Sequence, residues 1–252
     1  MNPIILHNNL LLTASLSASG TYSGYDVQSV LDQRTSSFWR AAAAGSANYI
    51  QGAWGGAQAI DAVGICGHNL FSVGATIYVE HSTNGSDWTQ ATTLIPTTND
   101  TIILAFTSAT KQYWRLKISN SSGLPQIAVL YFGVAVQFEY PPNTPIALID
   151  EGINSESSLS ETGIHLGTVT RFNDKILDRT FSDFTKTTFY TSTFKPFWDT
   201  YGKALNWFFY ADDAVNAPSE CYFCRFKDGF RLRPEQNNKN YISSLTLNMI
   251  CA

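Results

Sequence analysis

Charge is scarce in this 252-residue chain, because Lys, Arg, Asp and Glu together make up only 14% of it, against about 25% in ordinary globular domains. The formal net charge of −4 excludes the basic surface that nucleic acids or anionic lipids attract. No apolar run approaches the ~20 residues that a membrane-spanning helix needs. We therefore expect neither a nucleic-acid partner nor membrane insertion. The N-terminus also lacks the basic and long apolar regions of a signal peptide, so we expect folding in a cytoplasm.

Cysteine is also scarce, and the four thiols are too few and too scattered for a disulfide scaffold. Cys221 and Cys224 have the CxxC spacing, and with Cys251 they are a weak candidate for a zinc or iron–sulfur site. The run around Cys221 is aromatic and strand-like rather than glycine-rich, and no second CxxC follows. We expect free thiols here, and no cofactor.

Catalytic motifs are missing as well. The sequence contains no HExxH, GxSxG, P-loop or metal-spaced histidine pair. Cys66 and His68 fall on one face of a predicted strand, which permits a Cys–His dyad, but no orienting acid accompanies them. A structural role is the favoured interpretation of both, and we expect that the chain is not an enzyme.

What the sequence does contain first is a long β region. Short apolar segments recur between turn residues over residues 1–140, and Trp114, Leu116 and Ile118 alternate with Arg115 and Lys117. Strands without intervening helices indicate a sandwich or barrel.

A change in composition divides the chain. Residues 1–140 carry 12 charged side chains and residues 141–252 carry 24. Three prolines lie within 141–145, which predicts an extended linker. We therefore predict two domains, 1–140 and 146–252, joined by this linker.

The second domain is predicted to be smaller, β-rich and of the α+β class with one short helix. Phe194, Phe197, Trp198 and Tyr201 share one helical face, which Gly202 would end. The strand Trp207, Phe208, Phe209 and Tyr210 follows. So many aromatics are hard to bury in a small domain, so this strand is a candidate oligomer interface. The alternative, that helix and strand pack on each other inside one chain, remains open.

Four aromatic residues, Tyr22, Tyr25, Trp54 and Phe71, lie in charge-poor, loop-like segments with Asn, Gln and Ser nearby. Such rings can stack on sugars while amides reach the hydroxyls, so these four are candidate ligand-binding residues. The alternative is that they close the ends of the sandwich.

The first domain resembles the discoidin, or coagulation factor type C, family. The resemblance rests on segments spread over residues 9–133, among them 24–32 (GYDVQSVLD), 35–40 (TSSFWR), 84–88 (NGSDW) and 113–116 (YWRL). It implies an eight-stranded jelly roll in which Trp39, Trp88 and Trp114 anchor the core. It also implies ligand-binding loops near 20–25 and 41–47, which contain neither Lys nor Arg, so an anionic ligand is not expected.

The second domain is similar, more loosely, to the C-terminal part of distal-tail or baseplate proteins of long-tailed bacteriophages. The similarity covers about 70 residues, including 179–184, 197–203, 207–213 and 221–226. It implies a structural protein that forms a homo-oligomeric ring in the virion tail, with the tail tube and hub as partners. Assembly would take place in the bacterial host cytoplasm.

Together these observations predict a mainly β structural protein of a phage tail tip. The second domain would form the scaffold, and the discoidin-like jelly roll would decorate it or contact host-surface glycans. The alternative is a free-standing carbohydrate-binding protein or a module of an adhesin.

Overall fold

The computed structural model describes residues 2–45, 48–120, 122–143, 150–202, 205–210, 220–227, 231, 235–236 and 240–251. The chain divides into two compact units. Unit 1 contains residues 3–137 and 206–223, and unit 2 contains residues 138–205 and 224–252. The chain first passes from unit 1 to unit 2 between Gln137 and Phe138, close to the predicted linker. Residues 206–223, which the sequence assigned to the second domain, group with the first.

Unit 1 is an antiparallel β-sandwich. Its strands are β1 (Ile4–Leu6), β2 (Ser15–Ala18), β3 (Trp39–Arg40), β4 (Asn48–His68), β5 (Ala75–Ser82), β6 (Thr89–Leu94), β7 (Ile102–Asn120), β8 (Gln126–Gly133) and β9 (Val136–Gln137). Short 3-10 turns occupy Leu10–Thr13 and Val27–Leu31. The sandwich confirms the expected jelly-roll class.

Two long strands, β4 and β7, each run through both layers of the sandwich. The first half of β4 pairs with β2 and with the second half of β7, which continues to β5 and β6. The second half of β4 pairs with β8 and with the first half of β7, and β8 pairs with β3. The pairing is interrupted between Ala53 and Gln58, where the strand leaves one layer for the other.

One apolar core lies between the layers, as the alternation in β7 predicts. Trp39 and Trp114 are fully buried in it, together with Leu116 and Ile118. Trp88 is not part of this core, contrary to prediction. It is half-buried, and its ring lies 3.9 Å from the guanidinium carbon of Arg115. That guanidinium also forms an ion pair with Glu80 at 2.6 Å, so Trp88 covers a charged pair that joins β5 to β7 rather than filling the interior.

The aromatic strand β13 (Trp207–Tyr210) pairs with β1 in unit 1, with Phe208 opposite Leu6. The ring of Phe208 packs against Tyr131 and Phe223, at 5.1 and 4.9 Å between centroids. Gly64 makes this possible, since a Cβ there would lie 2.6 Å from the Phe208 ring. Trp207, Phe208 and Phe209 are fully buried within the chain, and only Tyr210 keeps part of its surface exposed.

Unit 2 combines an antiparallel sheet with one helical segment. Its strands are β10 (Asp150–Leu159), β11 (His165–Phe181), β12 (Phe184–Thr185), the end of β14 (Cys221–Phe226), β15 (Glu235–Gln236) and β16 (Tyr241–Cys251). Strand β16 pairs with β11, β12, β14 and β15, while β10 pairs with β11 to form a long hairpin.

The helix is longer than the sequence predicts. It runs as π-helical turns over Lys186–Phe194, one α-helical turn at Lys195–Phe197, and π-helical turns again over Trp198–Gly202. Its predicted end at Gly202 is confirmed. Phe194 and Phe197 are buried, and Trp198 and Tyr201 are half-buried.

Candidate functional site

Five connecting segments meet at one end of the unit 1 sandwich. The strand ends to which these segments connect are neighbours in the sheet. Three pairs of facing residues at or next to these ends show this: Arg40 and Gln126, His68 and Ile127, and Ala75 and Asn120. The described parts of these segments are 19–38, 41–45, 69–74, 95–101 and 122–125. Loops on a rigid sandwich are where binding residues concentrate, so we call this end the loop end.

The side chains of the buried Asn120 and the half-buried Asn69 tie these loops together. The Asn120 Oδ1 accepts the Gly45 N–H at 3.1 Å, and its Nδ2 donates to the Gly123 carbonyl at 2.9 Å. Asn69 donates from Nδ2 to the Leu124 carbonyl at 3.0 Å. These amides therefore fix the loop backbone, which pre-organises the loop end.

Tyr22 and Tyr25 lie together at the loop end. Their ring centroids are 6.0 Å apart, and Tyr25 stacks on Phe38 at 4.9 Å. The Tyr22 N–H donates to the Arg40 carbonyl at 2.9 Å, which holds the loop against β3. Tyr22 is 45% exposed, so its ring is open to a ligand.

Arg40 joins this pair of rings, although no motif in the sequence identifies it. Its guanidinium carbon lies 5.1 Å from the Tyr22 ring centroid and 5.8 Å from that of Tyr25. The two loops near 20–25 and 41–47 contain no cation, as predicted, but the last residue of β3 brings one to them. We call Tyr22, Tyr25 and Arg40 the Tyr–Arg cluster. Its only sequence signal is that Arg40 directly precedes the second loop.

The other two predicted ligand-binding residues lie apart from this cluster. Phe71 is at the loop end and 52% exposed, and its N–H donates to Asn99 Oδ1 at 3.0 Å. Trp54 lies where β4 leaves the first layer, well away from the loop end along the strand. It is buried, and its Nε1 donates to the Leu10 carbonyl at 3.1 Å. Trp54 therefore closes the sandwich and is not available to a ligand.

Cys66 and His68 do not form a dyad. His68 Nδ1 accepts the Leu70 N–H at 3.3 Å, and its Nε2 lies 2.8 Å from the Asp100 carbonyl, which fixes the neutral ring. The Cys66 sulfur accepts a hydrogen bond from the Thr101 hydroxyl at 3.4 Å. Burial lowers the pKa of His68 and raises the pKa of Cys66, so each stays uncharged and structural.

The three C-terminal cysteines do not converge on one point. Cys224 and Cys251 face each other across β14 and β16, with their sulfurs 2.7 Å apart. Burial raises the pKa of Cys221 to about 12, which opposes the thiolate that a metal requires. Within the described ranges, no three His, Cys, Asp or Glu side chains gather as metal ligands.

Solved carbohydrate-binding modules share similarity with about half of the chain. A CBM32 module of Clostridium perfringens in complex with GalNAc-β-1,3-galactose is 13% identical, with a TM-score of 0.43, over 52% of this chain and 99% of that one. Chitosan-binding module 2 of a Paenibacillus sp. IK-5 chitosanase/glucanase, in complex with chitotriose, is 15% identical, with a TM-score of 0.44, over 50% of this chain and 100% of that one.

A third structure, the CBM32 of AlyQ in complex with 4,5-unsaturated mannuronic acid, is 21% identical, with a TM-score of 0.41, over 50% of this chain and 96% of that one. No protein-family model and no curated protein matches the chain. Among the described residues, no helix is long and apolar enough to cross a membrane.

Proposed function

We propose that unit 1 is a carbohydrate-binding domain that uses its loop end. The observation that carries this proposal is the Tyr–Arg cluster, a partly exposed aromatic surface on loops held by asparagine side chains. Pyranose rings present flat C–H faces that pack on aromatic rings, and a fixed guanidinium donates to sugar oxygens. Because the loops are already ordered, binding loses little conformational entropy.

Two tyrosines of equal exposure test this proposal. Tyr22 is 45% exposed in the cluster, and Tyr140 is 46% exposed in unit 2. We expect Tyr22→Ala to weaken binding to immobilised polysaccharides at least tenfold, as measured by affinity electrophoresis and calorimetry. Tyr140→Ala should leave binding unchanged. Equal effects of the two substitutions, or no retention of the unmodified protein by any polysaccharide, would contradict the proposal.

We further propose that the chain binds glycans without cleaving them. Glycoside hydrolysis needs two carboxyl groups placed across the scissile bond. The described part of the loop end contains three aspartates. The carboxylates of Asp26 and Asp32 accept hydrogen bonds from the Gln28 N–H and the Ser37 hydroxyl of their own segment, and the Asp100 carbonyl holds His68. A bound polysaccharide should therefore show no new reducing ends after prolonged incubation. Their appearance, and its loss in an Asp32→Asn variant, would contradict this.

A second candidate function, a scaffold in a larger assembly such as a phage tail tip, is favoured by the hairpin of unit 2. Leu159, Ile164, Leu166 and Val169 lie near its turn and are 63–68% exposed. In the described strands, β10 pairs only with β11, which leaves an open sheet edge. A two-stranded hairpin with exposed aliphatic side chains gains stability when a partner covers it.

Light scattering after size exclusion tests the scaffold function. We expect the unmodified chain to form a defined oligomer and the Leu166→Glu, Val169→Glu double variant to be monomeric. Leu12→Glu is the matched control, since Leu12 is 56% exposed on a turn of unit 1. A monomeric unmodified protein, or an oligomer that the double variant leaves intact, would argue against the hairpin as the contact.

A further inference from the structure

The charge of Arg40 has no counterpart in the part of the chain that the structure describes. No carboxylate there forms an ion pair with it, and its Nε is buried without an acceptor. Arg115 provides the contrast: it is likewise half-buried and faces aromatic rings, but Glu80 binds it at 2.6 Å. A partly buried cation without an anion is costly unless a ligand supplies one.

The position of Arg40 shows what such a ligand must contain. The guanidinium carbon lies within 6 Å of both tyrosine ring centroids, which are themselves 6.0 Å apart, and Tyr22 is the more exposed of the two rings. A ligand stacked on Tyr22 is therefore within reach of the guanidinium. Arginine binds a carboxylate through two parallel N–H···O bonds, a geometry that a single sugar hydroxyl cannot match.

We propose that the Tyr–Arg cluster selects acidic glycans, with a uronic-acid carboxylate bound to Arg40 while the sugar ring packs on Tyr22. This inference rests on the proposed function and names its ligand class. It differs from the expectation that the loop end has no anionic ligand, because β3 supplies the cation that the loops lack. Selectivity arises because a neutral sugar leaves the guanidinium without its counter-ion.

Oligogalacturonate and oligomannuronate, each with its carboxyl-reduced form, test the inference. We expect the unmodified protein to bind at least one acid at least tenfold more tightly than its reduced form, and to lose that preference as salt rises. Arg40→Gln should abolish the preference while binding to the reduced form remains. Arg40→Lys should keep part of it, and Arg115→Gln should keep all of it. Circular dichroism checks that each variant is folded.

The outcomes separate this inference from the function on which it rests. Equal binding of acid and reduced forms by the unmodified protein would overturn the acidic selectivity and leave carbohydrate binding in place. A preference that survives in Arg40→Gln would assign the selectivity to another group. No binding to any of the four oligosaccharides or to other polysaccharides would overturn both.

A second inference concerns Cys224 and Cys251 and is independent of the first. The two residues are direct partners across antiparallel strands, and their sulfurs are 2.7 Å apart. Both are buried. Facing positions on neighbouring strands bring Cα atoms to about 4.5–5.5 Å, which is within the range that a disulfide bridges.

We infer that this pair closes to a disulfide when a low-molecular-weight disulfide such as oxidised glutathione is present. One cysteine thiolate attacks a glutathione sulfur and releases one glutathione thiol, and the second thiolate then attacks the mixed disulfide and releases the other. Two cysteine protons are lost, the protein is oxidised by two electrons, and one glutathione disulfide becomes two thiols. The bond would fasten the end of β16 to β14.

Peptide mass mapping after treatment of the folded protein tests this inference. We expect one cross-linked peptide pair containing Cys224 and Cys251, lighter than the two reduced peptides by two hydrogen atoms. The melting temperature should rise by several degrees, an effect that Cys251→Ser removes. Cys66 and Cys221 should remain alkylatable after unfolding and so serve as internal controls. No cross-linked pair, or one involving Cys221, would overturn it.

Discussion

The two units of this chain bury different kinds of side chain. The core of unit 1 lies between two β layers and consists mainly of Ile, Val and Leu around Trp39 and Trp114. Unit 2 instead gathers phenylalanine rings. Phe138 stacks on Phe181 at 4.4 Å and lies within 6.3 Å of three further rings, those of Phe184, Phe189 and Phe194.

The two units also differ in the surfaces that they expose, the loop end in unit 1 and the long hairpin in unit 2. A sandwich buries one side of every strand, so unit 1 can carry loops at its end on a rigid frame. The phenylalanine cluster of unit 2 combines Phe138, the end of β11, β12 and the helix. The turn of the long hairpin formed by β10 and β11 is not part of this cluster. The ligand site that we propose in unit 1 is therefore small and rigid, whereas the contact surface that we propose in unit 2 is extended and apolar.

The largest expected effect is the loss of a tryptophan from the unit 1 core. Trp114 is fully buried and contacts the rings of Phe106 and Phe132. Trp114→Ala should lower the free energy of unfolding by about 3–5 kcal/mol. Urea denaturation with residue-resolved hydrogen exchange measures it, and peptides of unit 1 should lose most protection. A loss below about 1 kcal/mol would show that the sandwich repacks around the cavity.

The phenylalanine cluster should tolerate a change of shape better than a loss of volume. Phe138→Leu keeps most of the apolar volume but removes the stacking on Phe181, and should cost about 1–2 kcal/mol. Protection should fall in peptides of unit 2. Phe138→Ala, run beside it, should cost more. If leucine and alanine were equally damaging, the ring geometry rather than burial would stabilise unit 2.

The core of unit 1 could be predicted because its signal is local. Alternation in one strand places Leu116 and Ile118 inside, whatever the other strands do. The same reasoning gave a wrong prediction for Trp88. A tryptophan after a turn can either enter the core or cover an arginine on the sheet, and the position of Arg115 in the fold decides which of these occurs. The burial of β13 also depends on residues that are distant in sequence. Leu6 pairs with Phe208, and Gly64 and Tyr131 lie against the Phe208 ring.

The candidate site was predictable only in part, for a similar reason. Exposed tyrosines in a charge-poor loop identify Tyr22 and Tyr25 directly. Arg40 is separated from them by fifteen or more positions, and its role appears only once β3 lies beside their loop. Trp54 looks like the other aromatics in sequence, but its ring packs in the apolar core and its Nε1 donates to the Leu10 carbonyl.

A third prediction concerns the asparagines that order the loop end. Asn120→Ala removes an acceptor for Gly45 and donors to the carbonyls of Ser122 and Gly123. Since these backbone groups are partly buried, the change should cost about 1–3 kcal/mol. Glycan affinity should fall with it, because the loops lose their order before binding. Unchanged hydrogen exchange across 41–45 and 122–125 would show that the loops are held by other contacts.

The smallest expected effect is a dependence on pH through His68. Burial lowers its pKa in the folded state below the ordinary value of 6.5, so the folded protein holds the ring neutral where the unfolded chain binds a proton. Stability should therefore be highest above about pH 6.5 and decrease as the pH falls from there towards the folded pKa. Protonation at Nδ1 would remove the acceptor of the Leu70 N–H, so the loss should be local to the start of the 69–74 loop. In thermal melts, His68→Gln should flatten the dependence of stability on pH below about pH 6.5. If stability still decreases in this range, the acid sensitivity belongs to another group. His7 is the first to test, because burial lowers its pKa to about 4.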